Sequence, residues 1–150
     1  MAKYNLQEKK PKTAAYRTQV RPEVIDEIYE QILRKMIVEK RYKDPAYTAQ
    51  KLAEEIHTNT RYISAAVSLR FQMSYSELIC GYRIREAVSM LTDPRYRNMI
   101  MAEVAQTCGF ANRQSFYAAF YRVKGVTPKA FQDEFLTKLA SSKQSRKNKS

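Results

Sequence analysis

Apolar residues recur along this chain at helical spacing, in blocks separated by polar turns. The clearest pair of blocks is Ile100 to Phe120, IMAEVAQTCGFANRQSFYAAF. Its first half reads as an apolar helix that stops at Gly109, a residue suited to a turn needing positive φ. Phe110 follows and can fill the angle between two helices. Phe116 and Phe120, four residues apart, give the second helix one buried face. Upstream, Ala49 to Val67 (AQKLAEEIHTNTRYISAAV) repeats the pattern. Leu52-Ala53 correspond to Val104-Ala105, Ile56 to Cys108, and Ile63 and Val67 to Phe116 and Phe120, with one residue fewer in the turn. Each block is a helix-turn-helix, and two of them in one small chain form a rarer pattern than one.

The remaining elements follow from caps and breakers. Pro22 opens a first helix, whose apolar stripe is Ile25, Ile28, Tyr29, Ile32 and Met36 and which fades at Lys40-Arg41 before Asp44-Pro45. Thr48 is placed to cap a helix over about 49–56, and Asn59 or Thr60 one over about 60–71. Ser74 and Glu77 form an S-x-x-E capping box that starts a long helix to Leu91, with Leu78, Tyr82, Ala87 and Leu91 as its apolar anchors; Thr92-Asp93-Pro94 ends it. Asn98 and Asn112 are candidate caps for helices over about 99–108 and 112–123. Thr127-Pro128 starts a last helix with Phe131, Phe135 and Leu139 inward. The predicted fold is all-α, about seven helices, with two helix-turn-helix subdomains joined by a long linker helix.

Composition agrees with this reading. With 150 residues, 44% hydrophobic, three Gly and five Pro, the chain suits one packed helical domain with tails. A basic N-terminal arm is expected over 1–21, the domain over 22–136, and a disordered basic tail over 137–150. The domain divides into a first helix-turn-helix (48–71), a linker helix (74–91) and a second helix-turn-helix (99–123). The net charge of +12 sits mostly in the tails: residues 1–21 and 136–150 carry +5 each, the middle only +2. Its placement within the domain is more telling. Residues 56–76 and 104–132 contain no Asp or Glu, yet hold Arg61, Arg70, Arg113, Arg122, Lys124 and Lys129. Acids there would be repelled by phosphates. Cys80 and Cys108 are too few for a disulfide framework. With no apolar run of about 18 residues and no leader, a reducing, cytoplasmic setting without membrane contact is expected. A single His and two dispersed Cys leave no metal site, and no cofactor is expected.

A helix buried by one face and polar on the other fits a DNA major groove. In the second unit Arg113, Gln114, Tyr117, Ala118 and Tyr121 point outward. Arg113 suits guanine and Gln114 adenine through paired hydrogen bonds; Ser115 and Tyr117 suit phosphate or base, and Ala118 a thymine methyl. Arg122, Lys124 and Lys129 suit phosphates, and Asn112 stands at the helix start beside them. In the first unit Arg61, Tyr62, Ser64, Ala65 and Ser68 are expected outward, a face short of base-reading groups and fitted to reading fewer bases or DNA shape. Arg83, Arg85, Arg95 and Arg97, near the linker helix, suit surface or intramolecular pairing, and Glu54-Glu55 a solvated face.

These residues make the chain resemble the DNA-binding domain of the AraC/XylS family of bacterial transcription regulators. The family run is Ile100, Val104-Ala105, Gly109-Phe110, Phe116, Phe120, Gly125, Thr127-Pro128 and Phe131, and the resemblance covers roughly Val24 to Phe135. It departs at His57, where the first turn often has Gly. It departs again at Tyr121 and Gln132, where basic residues are usual, so two phosphate contacts are lost. The resemblance implies one monomer offering two recognition helices to successive major grooves of double-stranded DNA. An eighteen-residue helix over 74–91, about 27 Å long, bears on the one-turn separation of about 34 Å this requires.

Three functions follow. The first is a sequence-specific double-stranded DNA-binding transcription regulator, with RNA polymerase or a regulatory protein as the further partner. The second is the DNA-binding output domain of a larger sensor-regulator. The third is a protein-interaction adaptor on the same fold, a reading that Ala65, Ala118, Tyr121 and Gln132 keep open. An enzyme is not expected: the chain lacks a phosphate-binding Gly loop, a metal cluster and a Ser/His/Asp set.

Overall fold

A computed structural model of the protein describes residues 20–149, with side chains through residue 144. The arm expected over 1–21 lies almost wholly outside the described residues. Among the described residues the architecture is all-α, with seven α-helices: α1 Pro22–Leu33, α2 Ala49–Glu55, α3 Thr60–Phe71, α4 Tyr75–Leu91, α5 Met101–Cys108, α6 Arg113–Lys124 and α7 Pro128–Lys149. None is long and apolar enough to cross a membrane. The chain divides into two compact units. The first holds the described residues up to Arg41 together with Ala46–Ile79; the second holds Tyr42–Pro45 and the residues from Cys80 onward.

In the first unit, Pro22 pre-sets the first turn of α1, and Ile25, Ile28, Ile32 and Met36 are buried along one stripe. The helix does not fade regularly toward Lys40, as the pattern predicts. It widens into a π-turn over Arg34–Val38, where the Glu39 N–H donates to the Arg34 carbonyl at 3.0 Å. The wider turn keeps Met36 inside and turns Ile37 and Val38 to the surface. Lys40, left-handed at φ 52°, ends it.

Thr48 and Asn59 cap α2 and α3 as expected, accepting from the Lys51 and Tyr62 N–H groups at 3.2 and 3.0 Å. The turn between these helices carries His57 at φ 60°, the left-handed conformation that glycine adopts most readily. Helix α3 packs against both α1 and α2. It is therefore buried over more than one stripe, which corrects one expectation: Ala65 is buried with Ile63, Ala66 and Val67. The burial of four residues on α3 makes its inward face wider than the one-stripe pattern predicts.

Glu55 also departs from the solvated face expected of it. Its carboxylate accepts from Arg41 and from the Tyr47 hydroxyl (2.7 Å), with the Lys35 ammonium 3.6 Å away. Arg41 in turn lies over the Tyr47 ring, 4.9 Å from its centroid. Glu54 remains exposed. The Arg41 guanidinium, helped by the Tyr47 hydroxyl, holds the Glu55 carboxyl below the usual carboxylate range against its partial burial. A depressed folded value contributes stability above the unfolded carboxylate value of about 4.3, and loses it as pH falls through the folded one. Thermal melts at pH 7 and pH 3 should therefore show wild type losing more stability on acidification than Glu55→Gln. An equal loss would remove Glu55 from the acid response.

In the second unit the core is Ile84, Ala87, Met90 and Leu91 from α4, Val104, Ala105 and Cys108 from α5, Phe110, and Phe116, Ala119 and Phe120 from α6. Three ring contacts run through it: Phe110–Phe116, Phe116–Phe120 and Phe120–Phe131, with centroids 5.2, 5.8 and 5.4 Å apart. Gly109 is left-handed, as predicted, at φ 102°. The segment Tyr42–Pro45 is held here by α4. The Arg83 guanidinium donates to the Tyr42 and Asp44 carbonyls at 2.8 and 3.0 Å, the Tyr42 ring stacks on Tyr82, and the Tyr42 hydroxyl donates to Glu86 at 2.9 Å. Arg83 thus pairs intramolecularly, as its position predicts.

The Ser74–Glu77 capping box forms in both directions, at 3.1 and 3.2 Å. Asn112 and Thr127 cap α6 and α7. Asn98 does not cap α5: the 3-10 turn Pro94–Tyr96 and the bend after it move the start on, so Ile100 is the N-cap and offers no side-chain bond. The disordered tail expected from 137 also differs. Helix α7 continues to Lys149, because Ala, Lys, Gln and Arg are strong helix formers and no Gly or Pro interrupts them; Lys138 and Glu134 pair one turn apart at 3.0 Å. Gln132 is nearly fully buried on α7, its Nε2 without a partner, so this position belongs to the interior in this chain and not to a phosphate-facing surface.

Candidate nucleic-acid interface

Helix α6 is built to show one face. Phe116 and Phe120 have no exposed surface, and Ala119 beside them is buried. Gly109 reverses the chain and Asn112, accepting from the Ser115 N–H at 2.8 Å, fixes the first turn. The opposite face then follows from 100° per residue. Arg113, Gln114, Ser115, Ala118, Tyr121, Arg122 and Lys124 are exposed, and Tyr117 is half-buried. The face contains no carboxylate. Asn112 is also exposed, but its side-chain oxygen is committed to the cap.

Two of these side chains are already oriented. The Arg113 guanidinium lies 4.3 Å from the Tyr117 ring centroid, and that ring meets Phe116 edge-on at 5.9 Å. A core phenylalanine thus supports a tyrosine, which supports a surface arginine. Arg122 reaches back toward the Cys80 sulfur at 3.5 Å.

Arg113 and Tyr117 also line an open cleft of about 500 Å³ with Arg97, Met99, Met101 and Lys129. The cations come from the turn before α5, the start of α6 and the start of α7. Lys129 is a phosphate contact in the sequence pattern, whereas Arg97 reads there only as a surface or paired residue, its one signal being its place just ahead of α5.

In the first unit, α3 exposes Arg61 and Ser64, while Tyr62 and Ser68 are half-buried. Arg70 bonds Asp26 through Nε and Nη2 at 2.9 and 2.7 Å. With Ala65 inside, this outward face is narrower than that of α6.

A three-element core around a left-handed turn, followed by a capped helix with one acid-free outward face, defines a helix-turn-helix protein. Residues 52–134 match the family model described as "Helix-turn-helix domain". Over 87 residues the chain is 26% identical to YtdP, an HTH-type transcriptional regulator of Bacillus subtilis, a match covering 58% of this chain and 11% of that protein. Over 89 residues it is 25% identical to the melibiose operon regulatory protein of Escherichia coli K12, covering 59% of this chain and 28% of the relative. The chain therefore matches well under a third of the length of these curated relatives. Its fold is similar to the C-terminal domain of AraT, a response regulator from Geobacillus stearothermophilus, with TM-score 0.62 and 18% identity over 76% of this chain and 86% of that one. It is also similar to the C-terminal domain of the two-component response regulator yesN from Fusobacterium nucleatum, with TM-score 0.61 and 22% identity over 69% and 97%. The chain belongs to the AraC-type helix-turn-helix domain family.

Proposed function

We propose that this chain binds double-stranded DNA sequence-specifically as a monomer and regulates transcription, each helix-turn-helix offering its second helix, α3 or α6, to a major groove. The observation that carries the reading is the face of α6: a helix anchored by two fully buried phenylalanines and exposing a carboxylate-free polar surface. Gln114 is the base reader on that face, since its amide both donates to and accepts from an adenine edge. Arg113, Ser115, Tyr117, Tyr121, Arg122 and Lys124 surround it, and Asn112 holds the helix start against the backbone. Arg61, Tyr62, Ser64 and Ser68 form the lesser contact surface on α3. Two half-sites about one helical turn apart are expected.

Selection of bound sites from random duplexes, followed by salt-dependent gel shifts, tests this. Gln114→Ala should cost about 1–3 kcal/mol on the selected site and relax preference at one base pair. An equal loss on every sequence would remove Gln114 as a base reader.

A second reading is favoured by the short coverage of the curated relatives: the same fold serves as the DNA-binding output of a larger regulator, and a sensor or RNA polymerase is its protein partner. The adaptor reading is weakened by the burial of Ala65 and Gln132, because neither belongs to the outward surface that such a reading used.

A further inference from the structure

We infer that the cleft between the turn before α5, the start of α6 and the start of α7 is a phosphate site, in which Arg97, Arg113 and Lys129 grip one backbone phosphate of bound DNA. The inference rests on the DNA-binding reading above and assigns Arg113 a different task from the guanine contact its position predicts.

Three cations line one open cleft of about 500 Å³, and no acid lines it. Lys129 has Asp133 at 3.4 Å, but both side chains of that pair are more than half exposed, so solvent weakens the contact. Three like charges brought to one opening disfavour one another until an anion enters. Arginine forks suit a phosphate through two parallel N–H bonds, and lysine adds a point charge. The Tyr117 ring holds the Arg113 guanidinium on the cleft side at 4.3 Å, so its plane is set before any ligand arrives. Met99 and Met101 supply an apolar wall, which excludes some water and strengthens charge pairing. The opening is larger than a phosphate alone needs, which suits a phosphate entering with the sugars on either side of it. Gln114 follows Arg113 directly on the helix, so a duplex read by Gln114 has backbone within reach of the cleft. A free phosphorylated small molecule shares the recognising chemistry, and the experiment separates the two sources.

Arg97, Arg113 and Lys129 are all exposed, so Arg97→Gln, Arg113→Gln and Lys129→Gln should melt like wild type. On both the selected duplex and a shuffled one, each variant should bind up to about tenfold more weakly, each lowering the salt slope by a fraction and the triple variant by about 1. Replacing backbone phosphates one at a time by methylphosphonate should reveal one position that weakens wild type and leaves the triple variant unaffected. Arg113→Gln that relaxes preference at one base pair with an unchanged slope would overturn the assignment, as would three variants that bind like wild type. In a second arm, inorganic phosphate and a nucleoside monophosphate are titrated without DNA and followed by amide NMR shifts. Saturable binding lost in the triple variant, with DNA slopes unchanged, would keep the phosphate site and give its source as a free ligand. Gln114→Ala run alongside separates the failures: if it changes sequence preference while the clamp variants do nothing, the clamp alone falls.

Discussion

Gly109→Ala is expected to destabilise the second unit by about 3–5 kcal/mol, a large share of the stability of an ordinary domain. Two effects add. The residue sits at φ 102°, where an L side chain is strained. A Cβ there would also lie 2.1 Å from the Tyr42 carbonyl oxygen and 2.9 Å from the Lys43 Cα, both backbone atoms. Relief requires the segment Tyr42–Pro45 to move. That motion breaks the Arg83 bonds to the Tyr42 and Asp44 carbonyls, the stacking of Tyr42 on Tyr82 and the Tyr42–Glu86 hydrogen bond. Gly125→Ala is the control: its φ is 77°, but nothing lies within 4 Å of the added carbon, so only the backbone strain of about 1–2 kcal/mol applies. Urea denaturation of both variants checks the pair. Equal effects would mean that the close approach to Tyr42 contributes nothing.

Phe116→Ala is expected to cost about 3–5 kcal/mol, the range for a fully buried aromatic truncated to a methyl. Phe116 joins Phe110, Phe120 and Tyr117 by ring contacts of 5.2, 5.8 and 5.9 Å, so its loss opens a cavity where α5, the turn and α6 meet. Phe116→Leu should cost markedly less, since it refills most of that volume. The functional consequence is separable. At a temperature where Phe116→Leu is folded, Tyr117 has lost its edge contact and Arg113 its fixed support, so binding to every duplex should weaken before stability fails. Denaturation curves and gel shifts on the same samples check both halves, and unchanged binding by a folded Phe116→Leu would break the link from core ring to surface arginine.

Much of the fold was legible because its decisive contacts are local. Thr48, Asn59, Asn112 and Thr127 each bond an amide three residues ahead, and Ser74 with Glu77 does so in both directions; such bonds follow from the spacing of a few letters. The faces of α6 were equally legible from Phe116 and Phe120. What was not legible depends on partners distant in sequence. Ala65 is buried on a helix that packs against two others. Tyr42–Pro45 joins the second unit through Arg83, about 40 residues away. The π-turn at Arg34–Val38 is marked by a backbone bond, Glu39 to Arg34, which no side-chain pattern announces. The cleft combines Arg97, Arg113 and Lys129, which lie sixteen residues apart in turn and share no motif.

The two turns reach the same left-handed backbone by different residues, histidine at position 57 and glycine at position 109. The conformation, and not the missing side chain, is what links the paired helices. Glycine therefore becomes indispensable only where another strand of the chain presses against the bend, as the Tyr42 carbonyl does at Gly109. A bend facing open solvent tolerates a wider alphabet, so motif searches that insist on glycine will overlook the amino-terminal member of such tandem pairs, whereas searches keyed to the apolar residues on either side will recover it.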